Sequence, residues 1–121
     1  MMAVSPKVLS FVKDVFFMYA TGVLLVYFLQ RSMLYFPQKE SPSPQELGFG
    51  GYEKVEFATA DGLNLYGWYA PSQNNLPTIL FFHGNAALAA HEAGRLKTLT
   101  QKGYGAFLVE YRGYGGNPGK P

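Results

Sequence analysis

Cysteine is absent from this chain. Its absence excludes disulfides, thiolate nucleophiles and cysteine-based zinc sites, although it does not fix the compartment. Histidine is nearly absent, with only His83 and His91, and aspartate occurs only at Asp14 and Asp61. A metal centre would have few ligands to draw on, and nothing in the sequence asks for a cofactor. Charge of one sign is lacking too. The formal net charge is +2, and the ten Lys and Arg residues are scattered without a run. That balance argues against a nucleic-acid partner. Serine stops early: six are present and none follows Ser72.

What the chain does have is one long apolar block. Residues 15–29 read VFFMYATGVLLVYFL, without a charge. Val15, Phe16, Phe17, Leu24, Leu25, Val26 and Leu29 are its candidate membrane-facing residues. As a helix the block spans roughly 22 Å, short of the roughly 30 Å hydrocarbon core of a bilayer. Leu9, Phe11 and Val12 extend it on one side, and Met33, Leu34, Tyr35 and Phe36 on the other. Lys13 and Arg31 can snorkel to the head groups, and Tyr19, Tyr27 and Tyr35 suit the interfacial belts. A cleaved signal peptide fits less well, because Gln30, Arg31, Ser32 and Met33 follow the block with no small-residue cleavage pattern. A buried soluble helix would need more surrounding protein than this chain supplies. The reading is a single-pass membrane protein whose partner is the lipid bilayer. Lys7 and Lys13 against Arg31 and Lys39 give almost no positive-inside bias, with a slight preference for a cytoplasmic N-terminus. Pro37 is expected to end the helix, and QKESPSP, residues 38–44, reads as an exposed linker.

Beyond it the pattern changes period. Residues 54–59 alternate as a half-buried strand, Ala60, Asp61 and Gly62 signal a turn, and residues 63–70 alternate again, which predicts a hairpin. Residues 78–82, TILFF, form a short continuous apolar run of the kind buried on both faces of a parallel sheet. Residues 87–102 are rich in alanine and leucine and predict a helix, with Gly103 as its C-cap. A second apolar strand follows over residues 106–110, AFLVE, and the chain ends in a glycine-rich loop. Strand, helix, strand implies a parallel pair joined by a right-handed crossover.

The glycine-rich end is not a nucleotide site. A P-loop requires Gly where Tyr114 stands and Ser or Thr where Pro121 stands. The stretch Gly113-Tyr114-Gly115 reaches Pro118 where a dinucleotide fingerprint has its third glycine. His83-Gly84-Asn85 after a buried strand says more. Backbone N–H groups at such a turn can face a developing oxyanion, although an ordinary strand-to-helix turn with a satisfied histidine carries the same signature.

The combination FFHGNA, then a helix, then GYGAFLVEYRGYGGNPGKP closely resembles the start of α/β-hydrolases. It is most similar to the single-pass, membrane-anchored branch grouped with serine aminopeptidase-like and bud-emergence-type hydrolases, and QRSMLYFP after the apolar block also looks like that branch. The resemblance covers nearly the whole chain. It implies an α/β fold, the N-terminal part of a mixed hydrolase sheet, with residues 1–37 as anchor, 38–48 as linker and 49–121 as the hydrolase half. It also implies that the backbone N–H of Asn85, helped by Ala86, is an oxyanion donor. His83 and Gly84 would order that loop, and Arg112, Gly113 and Gly115 would brace the site entrance from the loop after the fourth strand. Glu110 stands where many relatives carry Asp, and Asn117-Pro118 replaces a more usual serine; both read as tolerated variants.

No G-x-S-x-G occurs, so the chain lacks the family's nucleophile, and His91 reads as a solvated helix residue. The reading is therefore a fragment of a serine hydrolase of ester or amide bonds, inactive alone, with a missing C-terminal half as a possible partner. The alternatives are a membrane-bound binding module on a hydrolase half-fold, and a fragment of a dehalogenase-type hydrolase, from which Ala86 in place of proline departs. The anchor is directly testable. The chain is expected to stay in the membrane pellet through high-salt and carbonate washes. Leu25→Asp should release it, because a charge at a helix centre costs about 2.5–3.5 kcal/mol on insertion scales. Carbonate extraction of the unmodified chain would rule out a span.

Overall fold

The computed structural model describes residues 5–121. It divides into two compact units, one ending at Leu34 and the other comprising Tyr35–Pro121. The first is helix α1, Pro6–Leu34, 29 residues with no buried side chain. Its length of about 44 Å and its apolar composition are sufficient to cross a bilayer. The helix stops three residues before Pro37, since a proline disfavours helical geometry in the residue that precedes it.

The second unit is a mixed sheet with one helix. Strands β1 (Glu53–Ala58) and β2 (Asn64–Ala70) form the antiparallel hairpin expected from the alternation. Strand β3 (Thr78–Phe82) leads into helix α2 (Ala89–Gln101) and then β4 (Gly105–Val109). Strands β3 and β4 are parallel, with Thr78 opposite Gly105 and Phe82 opposite Val109, while β4 runs antiparallel to β2. The sheet order is β1-β2-β4-β3, so β3 is an edge.

Period-2 alternation sorts the side chains. Tyr66, Trp68 and Ala70 of β2 and Ala106 and Leu108 of β4 are buried together with Leu88, Ala89, Ala93 and Leu96, and Ile79 and Phe81 of β3 pack against them. The alanines let α2 approach the strands closely. On the opposite face the Phe107 ring lies against Phe57 and Tyr69. Gly67 is required there: a Cβ on it would stand 2.7 Å from the Leu108 carbonyl and 2.8 Å from the Phe107 ring. Helix α2 ends in a Schellman motif. Gly103, at φ +92°, donates to Thr100 O, and Tyr104 donates to Leu99 O.

Residues 38–44 are partly exposed, as their composition suggests, with Gln38, Lys39, Glu40 and Ser41 open to solvent, but the segment is tied down. Gln38 O accepts from Gly115 N–H at 2.8 Å, Ser41 Oγ lies 3.2 Å from Tyr66 Oη, and Pro44 is fully buried. The segment is a strap laid on the sheet unit, because the loop it crosses offers N–H groups and an aromatic surface that an extended chain can satisfy.

Leu80 and Phe82 point away from α2 and are 55% and 57% exposed on an edge strand, a profile prone to edge pairing. Leu80→Lys or Phe82→Lys should therefore reduce aggregation, measured by light scattering of the detergent-solubilised chain, with little change in melting temperature. Ile79→Lys or Phe81→Lys, which place the charge in the core, should unfold it.

Candidate active site

The expected site residues converge where the parallel strands β3 and β4 end, the edge of an open α/β sheet at which ligands commonly bind. His83 follows β3 directly and is buried; Gly84, Asn85 and Ala86 form the exposed turn into α2. Glu110 follows β4 and is 1% exposed. An open groove of about 460 Å³ runs past the turn, lined by Tyr35, Leu65, Asn85, Val109, Tyr111 and Arg112.

Glu110 joins the two strand ends. Its Oε1 lies 2.8 Å from His83 Nε2, and its Oε2 accepts the Ala89 N–H at 3.0 Å. Leu88, the N-cap residue of α2, has no side-chain acceptor to offer, so Glu110 from the neighbouring strand caps an otherwise orphaned first-turn donor. A negative charge at a helix N-terminus is also favoured by the helix dipole. Glu110 thus serves two partners at once.

His83 donates from Nδ1 to Gly84 O at 2.9 Å, which makes it a donor at both nitrogens when Nε2–H faces the carboxylate. Burial works against the charged ring, but the Glu110 carboxylate and the Gly84 carbonyl outweigh it and raise the His83 pKa. Tyr111 lies against the His83 ring at 4.1 Å between centroids and donates from its hydroxyl to His83 O at 2.8 Å.

These contacts order the turn. Gly84 O accepts from His83 Nδ1 and, at 3.1 Å, from Ala87 N–H. Asn85 O accepts from Phe36 N–H at 3.1 Å and Tyr114 Oη at 2.5 Å. The amides of Asn85 and Ala86 have no hydrogen-bond partner among the described residues.

The loop after β4 is stitched down by Asn117, which the sequence offered only as a variant position, and by the expected Arg112, Gly113 and Gly115. Asn117 Oδ1 accepts the Tyr66 N–H at 3.0 Å, and its Nδ2 donates to Tyr66 O at 3.3 Å and Glu110 O at 3.0 Å. Its carboxamide acts as a surrogate peptide that prolongs the β2–β4 ladder by one rung. Gly115, at φ +55°, admits no side chain: a Cβ would stand 2.5 Å from Tyr66 Oη and 2.8 Å from Glu110 Cγ. Gly113 is also left-handed, at φ +79°. Arg112 forms a two-pronged pair with Asp61 of the β1–β2 turn, at 2.9 and 3.2 Å. That pair, together with the Thr59 hydroxyl, holds Asp61 down to about 2. The two histidines are committed elsewhere than to a nucleophile. His83 is bound as above, and His91 Nδ1 accepts the Leu88 N–H at 3.3 Å. Neither bonds a serine or threonine hydroxyl among the described residues.

The Glu110 bridge makes two expected outcomes. Glu110→Ala should cost about 3–5 kcal/mol, because it strands a buried imidazole and the Ala89 donor. Glu110→Gln can still serve both partners once His83 is neutral, and should cost less. The raised His83 pKa gives stability that is complete below its unfolded value of about 6.5 and is lost as pH rises through the folded value. The melting temperature of the chain in detergent should therefore fall as pH rises above 6.5, and Glu110→Gln should flatten that slope. An unchanged slope in Glu110→Gln would remove His83 as its source.

No protein-family model matches the chain. It is 38% identical over 106 residues to an uncharacterized protein of Mycobacterium tuberculosis, spanning 84% of this chain and 37% of that protein. It is 33% identical over 109 residues to the α/β hydrolase domain-containing protein WAV2 of Arabidopsis thaliana, spanning 83% of this chain and 35% of WAV2. It is 31% identical over 112 residues to the protein bem46 of Schizosaccharomyces pombe, spanning 84% of this chain and 36% of bem46. The chain thus spans little more than a third of the length of these relatives. An esterase of Pyrococcus furiosus shares the fold, with a TM-score of 0.55 and 24% identity over 72% of this chain and 34% of the esterase. On these relatives and this fold, the chain belongs to the α/β-hydrolase superfamily.

Proposed function

We propose that this chain supplies the oxyanion-binding part of a membrane-anchored serine hydrolase acting on ester or amide bonds. One observation carries the reading: Asn85 and Ala86 are exposed residues whose amides have no partner among the described residues, while the carbonyl at the other end of each peptide is held by two donors. Peptide N–H groups fixed in this way stabilise a tetrahedral oxyanion without reorganising during the reaction. Asn85 and Ala86 would donate, and His83 would keep the turn in shape through Glu110 without serving as the base. Helix α1, with no buried residue in this structure, would hold the unit at a bilayer as a single-pass anchor. The nucleophile, acid and base are not assembled among the described residues. In the longer relatives there is room for them outside the matched third, so the chain alone is expected to be inactive.

A chimera tests this. In bem46 the matched 112-residue segment is replaced by this chain. The chimera should be labelled by a fluorophosphonate probe and should hydrolyse a short-chain nitrophenyl ester. Asn85→Pro and Ala86→Pro each delete one amide proton, and each should lower kcat by about 10²–10³-fold, the usual effect of losing one oxyanion donor. The chain alone should stay unlabelled. A chimera that folds by circular dichroism yet is neither labelled nor active would sink the hydrolase reading, and specific labelling of the chain alone would show a nucleophile within it.

A further inference from the structure

The two candidate oxyanion amides are aimed by different parts of the molecule. A peptide unit is planar, with its C=O and the following N–H pointing opposite ways. Whatever fixes the Gly84 oxygen therefore aims the Asn85 N–H, and whatever fixes the Asn85 oxygen aims the Ala86 N–H. The Gly84 oxygen is held from within its own turn, by His83 and Ala87. The Asn85 oxygen is held from outside it, by the Phe36 N–H and the Tyr114 hydroxyl.

Both outside donors are themselves immobilised. Tyr114 is 0% exposed, so its ring has one place to lie. The next residue, Gly115, donates to Gln38 O and ties the Tyr114 loop to the strap. Three residues on, Ser41 is engaged by Tyr66 and accepts from Lys54 Nζ at 3.0 Å. Phe36 stands two positions after Leu34, the last residue of α1. Taken back to Tyr35, the strap is thus the first stretch of chain after the apolar helix, and the Phe36 N–H is the backbone donor with which it reaches the site.

We propose that Phe36 and Tyr114 are positioning residues for the Ala86 amide, and that the strap formed by residues 35–41 sets one of this turn's two candidate anion donors while leaving the other alone. The chemistry of that donor rests on the oxyanion reading above; its orientation does not. A ligand with negative charge developing on oxygen would lose one hydrogen bond of two when the strap is displaced, so the segment adjoining the anchor acts as a selective control on the site.

The test measures amide order, not turnover. The full chain, labelled with ¹⁵N and held in lipid nanodiscs, is expected to show order parameters near about 0.85 at both Asn85 and Ala86, the level of rigid backbone. Tyr114→Phe removes only a hydroxyl; Phe36→Pro removes the N–H together with the phenyl ring, and Phe36→Ala, which keeps the N–H, controls for the ring and should leave Ala86 ordered. Tyr114→Phe and Phe36→Pro should each lower the Ala86 value, and the double variant should bring it below about 0.6, with Asn85 and the β4 amides unchanged. His83→Gln should do the reverse, loosening Asn85 and sparing Ala86. If Ala86 stays rigid in the double variant, or if Asn85 and β4 loosen equally, the proposal is overturned. Selective loosening of Ala86 alongside an inactive chimera would sink the hydrolase reading and leave the positioning role standing. A rigid Ala86 in the double variant alongside an active chimera would do the opposite.

Discussion

The fold of the site hangs on one buried carboxylate. Glu110 leaves β4 at the point where the sheet ladder ends and spends one oxygen on His83 and the other on the first N–H of α2. Strand β3, the turn and α2 are consecutive in sequence, but nothing local makes the helix begin where it does. Leu88 cannot cap it, and His91 satisfies only the Leu88 N–H. The cap comes across the sheet, so the start of the helix and the register of the parallel pair are set by one group. A buried carboxylate is expensive unless it is paired and hydrogen-bonded. Here it is both, and the expense falls on breaking the arrangement, which makes the turn hard to deform.

Around that pivot, three successive carbonyls are gripped from behind: His83 O by Tyr111, Gly84 O by His83 and Ala87, and Asn85 O by Phe36 and Tyr114. The glycine-rich loop supplies two of those grips, which explains its composition better than any phosphate-binding motif. Tyr111 and Tyr114 must approach the turn closely, and the backbone that carries them must double back under Tyr66. Only glycine tolerates the left-handed geometry and lack of space at position 115. Asn117 then closes the loop onto β2 with its side-chain amide where a further strand residue would otherwise pair.

Much of this was legible in the sequence. Alternation in residues 54–59 and 63–70, the apolar runs at 78–82 and 106–110 and the glycine after the helix gave the hairpin, the parallel pair and the C-cap, because each depends on local periodicity or on one residue's conformational freedom. The His-Gly-Asn turn was legible for the same reason. Glu110 was visible only as a departure from an expected aspartate, since its two partners lie 27 and 21 positions away and no period links them. A single acidic residue closing an apolar strand was the available signal. The strap's attachment was missed because proline and serine are as common in exposed linkers as in extended segments packed on a surface. What distinguishes the two is the set of donors presented by a loop more than seventy residues further on, such as Gly115 to Gln38.

The described sheet unit has two unequal faces, and the inequality bears on function. The face under α2 is closed by the unit's own side chains, with Trp68, Leu108 and Leu88 almost wholly buried. The other carries Phe57, Tyr69, Phe107, Leu80 and Phe82, and the sheet unit has no helix of its own over it. Yet the turn is held only by elements of the closed side and by the strap. Tyr111, which grips His83 O, also stacks on Phe82 of the open face at 6.3 Å, but the Gly84 and Asn85 carbonyls are gripped by His83, Ala87, Phe36 and Tyr114. The placement of the two amides is thus separable from whatever the open face requires for burial. The donor role proposed for these two amides demands that their orientation be settled before any substrate charge develops. In this chain it is settled by a single capped helix, one ion pair and a strap, all within reach of the turn itself.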